Sequence, residues 1–231
     1  MTAPVKILST MGVRGAMTEI APALATRGII FEAAYSSTNA LMRRIADGEI
    51  ADIALLFDSA IDDLIGQGKI IAGSRRDLAR SGIGIAVRAG AAKPDISTVD
   101  AFKRTLLNAR SVAYSKVGAS GLYFASLIEH LGIGEEIKQK ATVRDGVCGE
   151  LAANGEVEIA VQQISELMLV AGIDIVGPLP AELQKVTVFS AGIFAGTPRI
   201  DDAKTLIAAL TTADAAKVMR SKGLEPIAAI V

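Results

Sequence analysis

Short apolar runs alternate along this chain with longer segments in which apolar residues recur every three or four positions. Such alternation is typical of strands in a mixed, mostly parallel sheet that is covered by helices. Strands are predicted at 5–9, 29–35, 51–57, 81–88, 111–115, 158–162 and 186–194. Helices are predicted around 16–24, at 40–47, 59–66, from 98 onward, at 120–131, at 146–153, and twice after 194. The pattern therefore predicts the α/β class.

Two glycine- and proline-containing stretches divide the pattern into blocks. Residues 89–94 and 177–180 have the composition of linkers rather than of element interiors. They predict a discontinuous outer lobe, 1–89 with 181–231, and an inner lobe, 90–180. Because two lobes joined by two crossings can hinge, we expect a ligand cleft between them.

Composition excludes several classes of function. Hydrophobic types make up 51% of the 231 residues, and Lys+Arg 24 balances Asp+Glu 25, so the chain is globular and offers no broad basic surface for nucleic acid. Cys148 and His130 are the only residues of their types. This argues against a thiol-based or His-rich metal site and against a Ser-His-Asp triad. We expect neither a metal nor a cofactor, and the oligomeric state is not predicted.

The amino terminus bears on location. Residues 1–4 lead directly into the first apolar run, without the basic and long apolar regions of an export signal. No run approaches the roughly 20 apolar residues that cross a bilayer, so membrane insertion is not expected. We expect a cytoplasmic protein, or a periplasmic one if a signal peptide has been removed.

Three loops between a strand and a helix share small, hydroxylated or glycine residues. They are 9–15, 36–39 and 115–121. The N–H groups at a helix N-terminus and its partial positive charge favour an oxyanion, and ligands of open α/β sheets lie at the carboxyl ends of strands. The alternative reading is that these Ser, Thr and Asn residues are ordinary N-caps.

Polar residues close to these loops could determine specificity. Arg14 and Arg80 are predicted beside strand ends, where a guanidinium can bind a carboxylate with two hydrogen bonds. Arg144 is a third candidate of this kind. Gln162 ends a predicted strand and could direct its amide towards a ligand. The alternative for each is an ordinary solvated side chain.

Three segments carry a resemblance to a known family: ILSTMGVRGAMTEIAPAL, SSTNALMRRIADGEIADIALLF and RSGIGIAVRAG. They resemble the molybdate-binding-protein-like group of bacterial solute-binding proteins, which implies the two-lobed fold of type II periplasmic binding proteins. The first anion-binding serine of that family aligns with Gly12. Because this hydroxyl is missing and arginines are added, the resemblance implies a carboxylate ligand rather than molybdate.

Three functions remain open. The leading hypothesis is a protein that binds a small organic anion. The alternative is a cofactor-free isomerase of a small polycarboxylate, since a branch of the fold resembles aconitate isomerase; Lys116, Glu166 and Tyr35 are its candidate bases. A ligand sensor is the third. The ligand-binding residues expected are Ser9, Gly12, Arg14, Ser37, Thr38, Asn39, Arg80, Ser115, Ser120 and Gln162.

Overall fold

Strands and helices alternate through most of the chain in the computed structural model, which describes residues 3–227. The strands are β1 Val5–Thr10, β2 Phe31–Ser36, β3 Ile53–Phe57, β4 Arg76–Ser81, β5 Ile83–Arg88, β6 Val112–Ser115, β7 Ala141–Arg144, β8 Ile159–Gln163, β9 Ile173–Pro178, β10 Thr187–Ile193 and β11 Glu225–Pro226. The α-helices are α1 Arg14–Ala25, α2 Thr38–Ala46, α3 Asp58–Gly66, α4 Val99–Asn108, α5 Ala119–His130, α6 Gly134–Lys138, α7 Gly149–Ala153, α8 Ile164–Leu167, α9 Ile200–Leu210 and α10 Ala213–Ser221. Short 3-10 turns occupy Met11–Val13 and Ala181–Leu183.

The chain forms two units, each built around one sheet. Unit 1 contains the described residues up to Arg80 and from Thr187 onward, and unit 2 is the continuous segment Ser81–Val186. The sheet of unit 1 has the strand order β11-β4-β10-β3-β1-β2, and that of unit 2 has the order β7-β6-β8-β5-β9. Both sheets are mixed, so the predicted α/β class is confirmed.

The sheet of unit 1 is covered on both faces. β1 pairs in parallel with β2 and β3, whereas β10 runs antiparallel to β3. Ile7 and Ile53 belong to one buried apolar cluster, while their neighbours Leu8 and Ala54 belong to another. Successive strand side chains point to opposite faces, so a strand buried on both faces reads as one continuous apolar run. This explains the apolar stretches of β1 and β3.

A buried carboxylate joins three parts of unit 1. Asp52, just before β3, accepts a hydrogen bond from the backbone N–H of Lys6 at 2.8 Å. It also accepts one from the hydroxyl of Thr197, which precedes α9. Because all three residues are far apart in sequence, Asp52 stabilises the tertiary arrangement rather than a local turn. The sequence pattern did not identify this role.

The sheet of unit 2 is also buried on both faces and has its own core. β6 pairs in parallel with β7 and β8, and β5 runs antiparallel to both β8 and β9. Val112 and Val161 pack on one face of the sheet, and Ala113 and Ala160 pack with Cys148 on the other. Cys148 is completely buried among these side chains, and burial raises the pKa of its thiol to about 11.

The structure differs from the predicted organisation at both chain crossings. The units divide after 80 and after 186, rather than after 89 and 180, because β5 pairs with β8 and β9 of unit 2. Gly177 and Pro178 are the end of β9 and not a linker. The sequence RDLARS of β4 was not predicted as a strand, since its polar residues conceal the alternation.

Candidate functional site

The carboxyl ends of β1 and β2 bring two of the three predicted loops together in unit 1. These strands are parallel neighbours, with Ser9 opposite Tyr35 and Thr10 opposite Ser36. Parallel neighbours end at the same edge of a sheet. The loop that begins α1 and the loop that begins α2 therefore lie side by side.

Position 12 has no room for a side chain. A Cβ built on Gly12 would lie 2.5 Å from the ring carbon Cζ of Phe189, which is fully buried in β10. Phe189 also packs against Phe57, with 5.9 Å between ring centroids. A ring therefore occupies the space into which the hydroxyl of a serine at position 12 would project. The absence of a side chain at position 12 and the size of the Phe189 ring are therefore complementary.

Arg14 is an exposed cation in the first turn of α1. Its guanidinium carbon lies 5.8 Å from the centroid of the Tyr35 ring. Burial raises the pKa of Tyr35, and the charge of Arg14 opposes that rise. Among residues 3–227, no carboxylate lies within ion-pairing distance of Arg14. A cation at a helix N-terminus is disfavoured by the helix dipole, so this position needs another reason.

The start of α2 carries three predicted residues in different environments. The Ser37 hydroxyl accepts a hydrogen bond from the Ala40 N–H at 3.3 Å, which makes it the N-cap. Thr38 is buried, and its hydroxyl has no hydrogen-bond partner among the described residues. Asn39 is exposed. Ser9, at the end of β1, is completely buried and donates to the Thr10 carbonyl at 3.2 Å.

The third loop, in unit 2, begins α5. Ser115 ends β6 and accepts a hydrogen bond from the Gly118 N–H at 2.9 Å. Ser120 is buried in the first turn of α5. A hydroxyl that accepts from a backbone N–H still has its own proton to donate. The N-cap reading and the ligand reading are therefore compatible for Ser115 and for Ser37.

Gln162 has both ends of its amide engaged. Its Oε1 accepts from the Cys148 N–H at 2.8 Å, and its Nε2 donates to the carboxylate of Glu166 on α8. Gln162 lies one residue beyond the pair formed by Tyr114 and Val161, and hence opposite Ser115. Ser115 in turn lies opposite Arg144. These aligned residues share one face of the sheet. The amide of Gln162, one of the expected ligand residues, links the Cys148 backbone to the Glu166 carboxylate.

The other two arginines have acidic partners. Arg80 donates from Nε and Nη2 to the two carboxylate oxygens of Glu225, at 2.8 and 3.0 Å. Arg144 lies 3.4 Å from a carboxylate oxygen of Glu150. β4, which carries Arg80, is separated from β1 by β10 and β3. The structure therefore does not place Arg80 with the loops of α1 and α2, and its role at a ligand stays a prediction.

The described residues contain neither a metal-binding cluster nor a membrane-spanning helix. Between residues 3 and 227, no three His, Cys, Asp or Glu side chains are grouped closely enough to hold a metal ion. In the same part of the chain, no helix has both the length and the apolar character needed to cross a membrane.

Comparison with known proteins decides the family. The model of the family described as bacterial extracellular solute-binding protein matches residues 5–225. This chain belongs to that family. As a member, it has the two-sheet α/β architecture that the sequence resemblance implied.

A curated relative has a stated activity. The chain is 38% identical to an aconitate isomerase from Pseudomonas sp., over 96% of this chain and 88% of the relative. The match therefore extends through nearly all of both proteins.

Solved structures confirm the fold of this family member. The periplasmic molybdate-binding protein of Azotobacter vinelandii is 18% identical, with a TM-score of 0.79 over 95% of this chain and 98% of that one. The sulfate-binding protein of Mycobacterium tuberculosis is 15% identical, with a TM-score of 0.72 over 98% and 88%. Both share the periplasmic-binding-protein-like fold.

Proposed function

We propose that this solute-binding protein binds a small organic anion with more than one carboxylate. The observation that carries the proposal is Arg14, an exposed guanidinium at the carboxyl edge of β1 with no acidic partner among residues 3–227. A planar guanidinium matches a carboxylate with two parallel hydrogen bonds. The hydroxyls of Ser37 and Thr38 begin the neighbouring helix and are suited to donate to the same kind of group.

The loop of unit 2 supports the proposal independently. Ser115 and Ser120 bracket the N-terminus of α5, where backbone N–H groups and the helix dipole favour an anion. The packing of Gly12 against Phe189 leaves no space for a serine hydroxyl at position 12. This supports a carboxylate over the tetrahedral anions named for the molybdate- and sulfate-binding structures.

Calorimetric titration with a defined panel tests the ligand class. The panel contains cis-aconitate, trans-aconitate and citrate against molybdate and sulfate. We expect heat of binding from the tricarboxylates and none from the two tetrahedral anions. Tight binding of molybdate or sulfate, with no response to any tricarboxylate, would show that the proposal is wrong.

We also propose a second candidate function: turnover of the bound polycarboxylate as an isomerase. It is favoured by the 38% identity to aconitate isomerase, which extends over nearly the whole of both chains. The cis and trans forms of an unsaturated tricarboxylate interconvert when a proton leaves one end of an allyl unit and returns to the other. Proton NMR of cis- or trans-aconitate in deuterated buffer distinguishes the two functions. An isomerase converts one form into the other at a rate proportional to protein, whereas a binding protein leaves the ligand unchanged.

Location stays a prediction. The family is described as extracellular, whereas the sequence pattern favoured the cytoplasm or a periplasmic protein without its signal peptide. Fractionation of the native source, followed by immunodetection, would distinguish these compartments.

A further inference from the structure

Glu166 is a carboxylic acid in an unusual position. It lies in α8, three residues after the end of β8, and therefore near the carboxyl edge that also carries Ser115. The residue keeps some surface exposure, yet its carboxyl group is almost surrounded by protein. Its side-chain hydrogen bond is to Gln162, and among residues 3–227 no cation lies within ion-pairing distance of it. A carboxylate that is buried without an ion pair is expensive, which indicates a purpose other than stability.

The orientation of Gln162 is determined by the backbone. The Cys148 N–H can only donate, so it must face the amide oxygen of Gln162. The amide nitrogen is then directed towards Glu166 and holds the oxygen Oε2. The other oxygen, Oε1, makes no hydrogen bond to the described residues. A carboxyl group that is held by one oxygen and unengaged at the other is suited to transfer a proton.

The environment of Glu166 favours its protonated form more than water does. Burial raises the pKa of Glu166, and the hydrogen bond from Gln162 opposes that rise. The ionisable groups coupled to this region are the Cys148 thiol, whose pKa is raised to about 11, and Arg144, whose charge acts on that thiol. A general acid or base works best with a pKa close to the working pH, and raised glutamates are a common way of reaching it.

The two other candidate bases are less suited to this role. Tyr35 also has a raised pKa, but for a phenol this moves the group further from neutral pH, so that it stays protonated. Lys116 lies on the exposed part of the loop before α5. Glu166 is therefore the one of these three candidates whose pKa burial shifts towards neutral pH.

Building on the proposed isomerase function, we propose that Glu166 is the residue that carries the proton in the reaction. The Glu166 carboxylate takes a proton from the methylene carbon of the bound polycarboxylate, breaking C–H and forming O–H. The electron pair of that bond enters the allyl system and is spread towards the neighbouring carboxylates. Glu166 then returns the proton to the far allyl carbon, the double bond shifts by one position, and the carboxylate is regenerated. No oxidant, reductant or cofactor is consumed.

The test compares Glu166→Gln with wild type in the aconitate NMR assay. The variant keeps the shape of the side chain and cannot carry the proton, so kcat should fall by about 100- to 10,000-fold while binding of the tricarboxylate is retained. Glu156→Gln is the matched control, because Glu156 is an exposed glutamate of the same unit. It should keep the wild-type kcat. A shorter acid, Glu166→Asp, should restore part of the activity lost in the glutamine variant.

The outcomes separate the two proposals. If wild type converts neither isomer and takes up no deuterium, the isomerase function fails, and the role of Glu166 fails with it. If wild type converts aconitate and Glu166→Gln retains its kcat, the isomerase function stands and Glu166 is not the proton carrier. If kcat falls only because the tricarboxylate no longer binds, measured by calorimetry, Glu166 is a binding or structural residue and the inference is overturned.

Discussion

Gly121 lies directly against the backbone of Ser115, so that a Cβ built at position 121 would overlap the Ser115 carbonyl oxygen. Gly121 is in the first turn of α5, and Ser115 is the last residue of β6. The absence of a side chain at position 121 lets the helix begin in contact with the end of the strand. This contact brings the α5 N-terminus and the Ser115 hydroxyl into one small region.

Gly121→Ala should therefore disturb both folding and ligand binding. The overlap involves backbone atoms, which cannot turn away as a side chain can, so we expect a loss of about 2 kcal/mol or more in the free energy of unfolding. Urea unfolding measures it. Gly66→Ala, at the exposed end of α3 with open space around it, is the control and should be neutral or stabilising by up to about 1 kcal/mol. Equal stability of the two variants would contradict the contact.

Gly12 and Phe189 should behave as a coupled pair. Gly12→Ala places a methyl group against the Phe189 ring and should cost about 1–3 kcal/mol by overpacking. Phe189→Leu alone should also destabilise the protein, because it leaves a cavity. In the double variant the smaller side chain relieves the overlap, so the loss should be less than the sum of the two. A double-mutant cycle in urea measures this coupling, and strict additivity would show that the two positions do not compete for space.

Arg14→Ala should affect binding without affecting folding. Removal of the proposed charge-assisted contact should weaken tricarboxylate affinity by about 10- to 100-fold. Loss of the cation–π contact with Tyr35 and relief of the repulsion from the helix dipole oppose each other, so the free energy of unfolding should change by less than about 1 kcal/mol. Calorimetry and urea unfolding measure the two effects. Arg27→Ala, an exposed arginine just beyond the other end of α1, is the control.

Two results would show that Arg14 does not contact the ligand. One is unchanged affinity in Arg14→Ala. The other is an equal loss in Arg27→Ala, which would indicate a general effect of net charge.

Glu166→Gln should increase stability at neutral and higher pH. Because the folded-state pKa of Glu166 is raised by burial, the native state holds its proton more tightly than the unfolded chain. Ionisation is therefore penalised in the folded protein, and stability falls as pH rises above the ordinary glutamate pKa of about 4.3. The glutamine variant avoids this cost. Its advantage in urea unfolding should grow as the pH rises above about 4.3 and should disappear well below that pH, where the glutamate is protonated in both the folded and the unfolded state. An advantage that is independent of pH would contradict a raised pKa.

Gln162→Leu should change the pH dependence of turnover if the protein is an isomerase. The hydrogen bond from Gln162 lowers the pKa of Glu166, so its removal leaves burial unopposed and raises that pKa further. The acidic limb of the pH–rate profile should therefore move to higher pH. Gln163→Leu is the matched control, since the Gln163 amide donates to the Ser81 carbonyl and not to Glu166. The same movement of the limb in both variants would show that it reflects general destabilisation.

The sequence predicted best those features that depend on local pattern. The apolar runs of β1, β3 and β8 identified buried strands, and the small-residue segments after β1, β2 and β6 identified the starts of α1, α2 and α5. The residues at those helix starts do lie at strand ends, which is what the placement of Ser37 and Ser115 shows. Their contact with a ligand remains a prediction.

Contacts between distant segments could not be predicted from the pattern. No sequence feature near Arg80 predicts its ion pair with Glu225, because that pair forms only when β11 pairs with β4 at the edge of the sheet. The contact of Phe189 with Gly12 could not be predicted either, because Phe189 lies in β10, far along the chain from Gly12. The role of Gln162 was missed for a related reason. Its partners lie on different elements, α8 and the segment before α7, and only the folded sheet brings them to one amide.

The sheet of unit 1 cannot form completely until the inserted unit has been synthesised. β10 lies between β3 and β4, and it follows all of the segment Ser81–Val186. On a ribosome that adds about 5–20 residues per second, β3 would wait on the order of 7–27 s for this neighbour, with its hydrogen-bonding edge unpaired. The inserted unit is continuous and has no such delay. We therefore expect nascent chains arrested before residue 187 to be recognised by chaperones through the first 80 residues, even when Ser81–Val186 has already become resistant to protease.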